Sequence, residues 1–153
     1  MGRLVGTDGE NKMSKSLNNA VYISDTAKQV QKKINKIFTG RQSATEPGDP
    51  NNILMQYCEI FIPDAERVAE LKDLYARGAD IGDGHIKQEL GAAINDLLEP
   101  MRERRAKYEG DDAYVIDVLK SGTARANALT EETLAMAKEA CGLGFFKRSL
   151  ELH

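Results

Sequence analysis

The clearest chemical signal in this chain is a run of five residues near its start, Lys12-Met13-Ser14-Lys15-Ser16. The run places two ammonium groups and two hydroxyls in a stretch rich in Gly and Asn. A mobile loop of this kind can close over a polyphosphate, because lysines neutralise phosphate oxygens while hydroxyls and backbone amides donate hydrogen bonds. Such cations matter most where charge builds on a departing pyrophosphate. Without further context, a solvated basic loop is the commoner explanation of the same residues.

The distribution of charge along the chain is uneven. Residues 1–41 carry eight Lys or Arg against three Asp or Glu, a local charge of +5, whereas residues 42–153 carry thirteen against twenty-one, a local charge of −8. The total of −3 argues against a simple nucleic-acid coat. The basic front of the chain predicts contact with an anion, although a solvated basic helix face explains the charge equally well.

The elements that must position these residues are helices. Apolar residues at three- and four-residue steps predict six helices, at about 25–39, 53–62, 64–77, 84–108, 111–120 and 123–140. In the first helix the predicted inward stripe ends at Phe38, with Ser24 or Asp25 as cap and Gly40 as terminator. Pro100 is predicted to kink the fourth helix, and Gly122 to separate the last two. The predicted fold is an all-α helical bundle preceded by a short irregular segment.

Composition limits the class of protein further. The chain has 153 residues, of which 41% are hydrophobic, and no apolar stretch approaches the length of about 20 residues that spans a bilayer. This predicts a cytoplasmic protein without membrane contact. Cys58 and Cys141 are predicted to be reduced, buried thiols, and His85 a surface or capping residue. No metal site is expected.

Several stretches carry a family resemblance. The run Lys12–Ser16 resembles the signature loop of class I aminoacyl-tRNA synthetases, and its surroundings resemble the tryptophanyl-tRNA synthetases in particular. The resemblance extends to about residue 145 and is most specific in the first 40 residues. The matching stretches are Arg3–Asn11, Leu17–Asp25, Val30–Phe38, Gly91–Arg105 and Val118–Ala126.

This resemblance implies a ligase that activates tryptophan with ATP and Mg²⁺ and transfers it to tRNA(Trp). In the family, the signature loop binds ATP and stabilises the transition state of adenylate formation. Lys15 is the first choice for contact with pyrophosphate and Lys12 the second, and these two are the predicted catalytic residues. The backbone of Leu4 is expected to contact adenine. The implied nucleotide-binding set is Leu4, Lys12, Met13, Ser14, Lys15 and Ser16.

The resemblance also implies a division of the chain. Residues 1–24 correspond to the end of the catalytic domain, residues 25–145 to a helical tRNA- and anticodon-binding domain, and residues 146–153 to a tail interpreted as partly vector-derived. The nucleotide-binding sheet and tryptophan pocket have no counterpart in these residues, so the chain by itself is expected to be inactive and to hold no cofactor. The full-length protein is expected to be a homodimer that does not bind DNA.

Two basic groups are candidates for contact with tRNA. The first is Lys28, Lys32, Lys33, Lys36 and Arg41, and the second is Arg102, Arg104, Arg105 and Lys107. Alternatives stay open at this point. The chain could belong to the related tyrosyl enzymes, it could be a stand-alone non-catalytic RNA-binding or protein-interaction module, or it could be a structural bundle in which the signature residues are incidental.

Overall fold

The computed structural model describes residues 4–143, and these residues form five helices. The helices are α1 (Ala27–Asn35), α2 (Ile53–Phe61), α3 (Ala65–Arg77), α4 (Asp83–Tyr108) and α5 (Asp112–Ala140). The only β pairing in the described part of the chain is a single antiparallel bridge between Val5 and Lys12. The predicted all-α class is therefore confirmed. None of these helices is both long and apolar enough to cross a membrane.

The chain divides into two compact units, Met1–Arg104 and Arg105–His153. The first unit contains the hydrophobic core, to which α1, α2, α3 and α4 all contribute. Its largest fully buried side chains are Tyr57, Tyr75, Ile34, Ile37, Leu54, Met55, Leu71, Ile86 and Leu90. The signature segment belongs to this unit, since Leu4 and Met13 pack against the same core.

The first helix begins later and ends earlier than the sequence predicts. Its N-cap is Thr26, which forms a capping box with Gln29, and not Ser24 or Asp25. The carboxylate of Asp25 is used elsewhere, because it accepts hydrogen bonds from the Tyr22 amide at 2.7 Å and from Lys33 at 2.6 Å. The helix ends at Asn35, well before Gly40.

The early end of α1 changes the position of Phe38. Ile37 still faces the core, held by a hydrogen bond from its amide to the Ile34 carbonyl at 3.0 Å. The next side chain points away, and Phe38 is 79% exposed. Its predicted place in the inward stripe is therefore wrong. The free carbonyls at this end are satisfied by Lys87 Nζ, which donates to Asn35 at 3.2 Å and to Ile37 at 2.6 Å.

The loop between α1 and α2 is organised around Arg41. This side chain is only 3% exposed, and its guanidinium lies 4.3 Å from the centre of the Tyr75 ring. It donates hydrogen bonds to the carbonyls of Ser43 at 3.1 Å, Ala44 at 2.5 Å and Ile81 at 2.8 Å. These side-chain hydrogen bonds satisfy backbone carbonyls in a loop that is neither helix nor strand.

The ends of α2 and α3 follow simple capping rules. Asn52 caps α2, and Asp64 caps α3. Gly78 ends α3 in the left-handed conformation with φ 63°. The fourth helix starts at Asp83 and continues through Pro100 to Tyr108. The kink expected at Pro100 stays a prediction.

The fifth helix is one continuous element where two helices were predicted. Gly122 lies inside it, so the predicted break there is wrong. A glycine costs a helix only about 1 kcal/mol relative to alanine, and the surrounding alanines are the strongest helix formers. No residue of α5 is buried. Cys141, which follows the helix, is exposed, so only Cys58 is the buried thiol that the sequence predicts.

Candidate functional site

The segment that carries the signature residues folds back on itself through backbone hydrogen bonds. The Gly6 amide donates to the Asn11 carbonyl at 2.7 Å, and the Gly9 amide donates to the Gly6 carbonyl at 2.9 Å. Gly9 has a φ of 77°, a conformation that costs glycine little. The hydroxyl of Tyr57 on α2 donates to the Val5 carbonyl at 2.6 Å and so ties this segment to the helices.

A buried amide side chain holds the signature loop in shape. Asn19 is 3% exposed, and its Oδ1 accepts a hydrogen bond from the Ser14 amide at 2.7 Å. Its Nδ2 donates to the Lys12 carbonyl at 3.1 Å and to Asp8 Oδ2 at 2.8 Å. We call this arrangement the Asn19 clasp. It fixes the backbone at both sides of Met13, which places the side chains of the loop.

The Asn19 clasp was missed by the sequence analysis, because its hydrogen bonds join residues up to 11 positions apart. Gly6 makes room for it, since a Cβ atom there would lie 2.3 Å from Asn19 Nδ2. The clasp includes the charged form of Asp8. Slight desolvation raises the pKa of this carboxyl, but hydrogen bonds from Asn19, Asn11 and Glu10 outweigh it and hold the pKa below its usual value.

The two signature lysines are available to an anion. Lys12 and Lys15 are exposed, and in residues 4–143 neither forms an ion pair. Lys15 begins a turn that is closed by a hydrogen bond from the Asn18 amide to the Lys15 carbonyl at 3.2 Å. The hydroxyls of Ser14 and Ser16 lie 2.9 Å apart. The structure therefore brings together the ammonium and hydroxyl groups that the sequence singles out.

The first basic group predicted to meet RNA separates into two kinds of residue. Arg41 is buried in its loop, and Lys33 pairs with Asp25 at 2.6 Å. Lys28 and Lys32 on α1, and Lys36 at its C-cap, are exposed and form no ion pair with any residue that the structure describes. Only these three are free to meet an external phosphate, so Arg41 does not belong in the candidate set.

The second basic group is partly occupied in the same way. Arg102 donates to the Asp25 carbonyl at 2.9 Å, to Asn95 at 2.8 Å and to Glu99 at 2.8 Å. Arg105 pairs with Glu109 at 3.1 Å. Arg104 and Lys107 are exposed and have no ion-pair partner within residues 4–143. Within the same range, no group of three or more potential ligands could hold a metal ion.

Comparison with known proteins identifies the family to which the chain belongs. Residues 2–99, which include the signature loop and most of α4, match the family model of tRNA synthetases class I (W and Y). The chain therefore belongs to the class I tRNA synthetases for tryptophan and tyrosine.

Individual relatives narrow the family to its tryptophan branch. The chain is 42% identical over 143 residues to the tryptophan–tRNA ligase of Treponema pallidum, covering 92% of the chain and 42% of that protein. It is 36% identical over 149 residues to the tryptophan–tRNA ligase of Clostridium longisporum, covering 95% of the chain and 43% of that protein. The tyrosyl alternative is therefore not favoured.

Solved structures agree with the sequence relatives. A Campylobacter jejuni tryptophanyl-tRNA synthetase, complexed with ADP and tryptophan, superposes with a TM-score of 0.80 at 28% identity, over 94% of the chain and 44% of that protein. The Giardia lamblia enzyme gives a TM-score of 0.60 at 34% identity, over 67% of the chain and 26% of that protein. The chain thus spans less than half the length of the relatives that it matches.

Proposed function

We propose that the chain supplies the ATP-handling signature loop and the tRNA-recognition helices of a tryptophan–tRNA ligase. That enzyme activates tryptophan with ATP and transfers it to tRNA(Trp). The observation that carries the proposal is the pair of exposed ammonium groups of Lys12 and Lys15, which form no ion pair within residues 4–143, on a loop whose backbone the Asn19 clasp holds. The tryptophan–tRNA ligases among its relatives support the choice of amino acid.

The residues of the loop have separate roles in this proposal. When the tryptophan carboxylate attacks the α-phosphorus of ATP, the bond to the β-phosphate oxygen breaks and negative charge develops on the departing pyrophosphate. Lys15, and secondarily Lys12, stabilise that charge as point cations. The hydroxyls of Ser14 and Ser16 and the amide of Ser16 donate hydrogen bonds to phosphate oxygens, while the amide of Ser14 stays in the Asn19 clasp. Mg²⁺ would share the charge neutralisation when bound with ATP.

The remaining parts of the proposal concern the rest of the molecule. The backbones of Leu4 and Met13 form part of the nucleotide site, and the packing of both side chains on the core supports a fixed position for them. Residues 1–24 act with the catalytic domain and residues 25–145 with the tRNA. The full-length enzyme works as a cytoplasmic homodimer.

The test is Lys15→Ala in the full-length enzyme. If Lys15 acts on the departing pyrophosphate, the substitution removes about 2–4 kcal/mol of transition-state stabilisation and lowers kcat by about 30- to 1000-fold. Tryptophan affinity should change little, because the lost contact strengthens only during the reaction. Tryptophan-dependent exchange of pyrophosphate into ATP measures both quantities.

The control substitution is Lys28→Ala, which removes a lysine outside the loop that is also exposed and forms no ion pair within the part of the chain that the structure describes, and which should leave kcat for pyrophosphate exchange unchanged. The 153 residues produced alone serve as the inactive baseline, since one loop cannot position two substrates. A rise in the Michaelis constant for ATP with an unchanged kcat would show that Lys15 binds the ground state, against the proposed role.

A further inference from the structure

A small polar cavity lies beside the signature segment, on the side of α1. Its volume is about 200 Å³, and it lies within the first compact unit. Its lining residues are Thr7, Asn18, Gln29, Lys32, Lys33 and Lys36. We call it the lysine pocket. Neither Lys12 nor Lys15 lines it, so it is distinct from the face of the loop that we assign to pyrophosphate.

The charge around this pocket is not balanced by the protein. Lys33 is compensated, because it pairs with Asp25 at 2.6 Å and lies 4.0 Å from the centre of the Tyr22 ring. Lys32 and Lys36 form no ion pair within the described chain, and no acidic residue lines the pocket. Two ammonium groups on one polar wall repel each other and are stabilised by an anion between them.

A simpler explanation of lysines near the end of α1 is that they offset the negative end of the helix dipole. That end is already neutralised by Lys87, whose ammonium donates to the carbonyls of Asn35 and Ile37. The dipole therefore does not account for a further pair of cations at Lys32 and Lys36.

The pocket is also lined by neutral hydrogen-bond donors. They include the hydroxyl of Thr7 and the carboxamide of Asn18, and neither side chain has a hydrogen-bond partner among residues 4–143. Asn18 has a φ of 51°, in the left-handed region that Asn adopts more readily than most residues.

We propose that the lysine pocket binds a phosphate group, and that in the proposed enzyme this group belongs to the backbone of tRNA. The assignment of this phosphate to tRNA rests on the proposed function, whereas phosphate binding itself rests on the pocket alone. An occupant would touch Asn18, whose amide closes the turn of Lys15, and Thr7, whose amide donates to the Asn19 carbonyl at 2.8 Å. Filling the pocket would therefore favour the loop geometry seen here.

The experiment compares two double substitutions that each remove two lysine charges. The Lys32→Gln, Lys36→Gln double variant removes both uncompensated charges from the pocket. The Lys120→Gln, Lys138→Gln variant is the matched control, because both lysines are exposed on α5, form no ion pair within residues 4–143 and do not line the pocket. Far-ultraviolet circular dichroism confirms that each variant is folded, and a Lys32→Arg, Lys36→Arg variant restores the charge.

In the first arm, tRNA binding to the chain is titrated at several salt concentrations. The double variant should bind at least about tenfold more weakly, and the slope of log K against log salt should fall by about one to two, because each phosphate contact releases condensed counterions. The Lys120→Gln, Lys138→Gln control should change the slope by clearly less, and the arginine variant should restore it. In the second arm, inorganic pyrophosphate binding is followed by ³¹P NMR.

The two arms distinguish the source of the phosphate. Loss of tRNA binding in the double variant with unchanged pyrophosphate binding supports a backbone phosphate, and loss of pyrophosphate binding in the double variant supports a free phosphate ligand. An equal effect of the double variant and of the Lys120→Gln, Lys138→Gln control, or no effect in either arm, contradicts phosphate binding in the pocket. A failure of the proposed function looks different: the intact enzyme would charge a tRNA for another amino acid as readily as tRNA(Trp), with the effect of the double variant unchanged.

Discussion

The two compact units of the chain are stabilised in different ways. In the first, four helices and the signature segment share one core, and its central side chains, such as Leu71 and Leu90, are fully buried. In the second, α5 is the longest helix of the described chain, yet none of its residues is buried. Local propensity and capping, such as the hydrogen bond from the Tyr114 amide to Asp111 at 3.0 Å, must hold this helix.

The comparison separates two uses of apolar residues. On α5 they stay in contact with solvent, and the most exposed of the large ones are Leu119, Leu129 and Met136. Burial of a comparable leucine in the first unit stabilises the fold by about 2 kcal/mol. The same residue types on α5 contribute helix propensity and little else. Four paired measurements test this difference.

The largest contrast is expected between the two cysteines. Burial, with the nearby charges of Glu89 and Glu59, raises the pKa of the Cys58 thiol from 9.0 to about 12. At pH 8 this lowers the thiolate fraction by about a thousandfold, since each pKa unit is a factor of ten. We expect a disulfide reagent to react with the exposed Cys141 in native protein and with both thiols after denaturation. Cys141→Ser should then leave no fast-reacting thiol, and rapid labelling of Cys58 would contradict the buried core.

Two leucine substitutions compare a buried position in the first unit with an exposed position on α5. Leu90→Ala should lower the free energy of unfolding by about 2–4 kcal/mol, because it removes a fully buried side chain and leaves a cavity. Leu119→Ala, at a residue that is 64% exposed, should change it by less than about 0.5 kcal/mol. Urea denaturation followed by circular dichroism measures both. A loss above 1 kcal/mol for Leu119→Ala would show that α5 is covered in solution.

Replacing two glycines by alanine should change the stability by intermediate amounts and in opposite directions. Gly78 has a φ of 63°, and a Cβ atom there would lie 2.4 Å from the Thr45 carbonyl oxygen. Gly78→Ala should therefore destabilise the first unit by about 2 kcal/mol. Gly122 has no atom within 4 Å of such a Cβ, so Gly122→Ala should stabilise α5 by about 0.5–1 kcal/mol. Thermal melting of each variant gives the sign, and equal signs would refute the contrast.

The smallest contrast involves ion pairs. Arg67 on α3 holds Glu89 on α4 with two hydrogen bonds, at 2.9 and 3.0 Å, and these, with the nearby positive charge, outweigh burial and lower the pKa of Glu89. Because the folded pKa is the lower one, this stabilisation is present above the unfolded value of about 4.3 and is lost as the pH falls through the folded value. Glu89→Gln should cost about 1 kcal/mol at pH 7 and nothing at strongly acid pH.

The control for that measurement is Glu131→Gln on α5, at an exposed carboxylate without an ion-pair partner in residues 4–143. Its unfolding free energy should not change at either pH. The same loss at pH 7 and at acid pH in Glu89→Gln would mean that the side chain acts by packing and not by charge.

Local patterns predicted the elements whose causes are local. The predicted helix at about 64–77 is confirmed to within one residue, because Asp64 and Gly78 cap it at its own two ends. The predictions at Phe38 and Gly122 were wrong for the same reason, because each depends on more than the residue itself. The end of α1 depends on Lys87, 50 residues away in sequence, and the continuity of α5 depends on the summed helix propensity of many alanines.

The candidate site divides in the same manner. Lys12 and Lys15 could be named from their spacing, and the structure places both in solvent. Asn19 could not, because its role depends on hydrogen bonds to Asp8 and Lys12 across a fold of the chain. Arg41 counted as a cation for RNA, since a sequence does not show that its partners are carbonyls up to 40 residues away.

Arg41 also bears on the order in which the chain folds. Its guanidinium joins its own loop to Ile81, 40 residues further along the chain, and lies over Tyr75 in α3. Closing so long a loop has an entropic cost before any of these bonds forms, so the contact must await the formation of α3. We expect the segment between α1 and α2 to order after the folding barrier is crossed. Substitutions of Arg41 would then speed unfolding and leave the rate of folding almost unchanged.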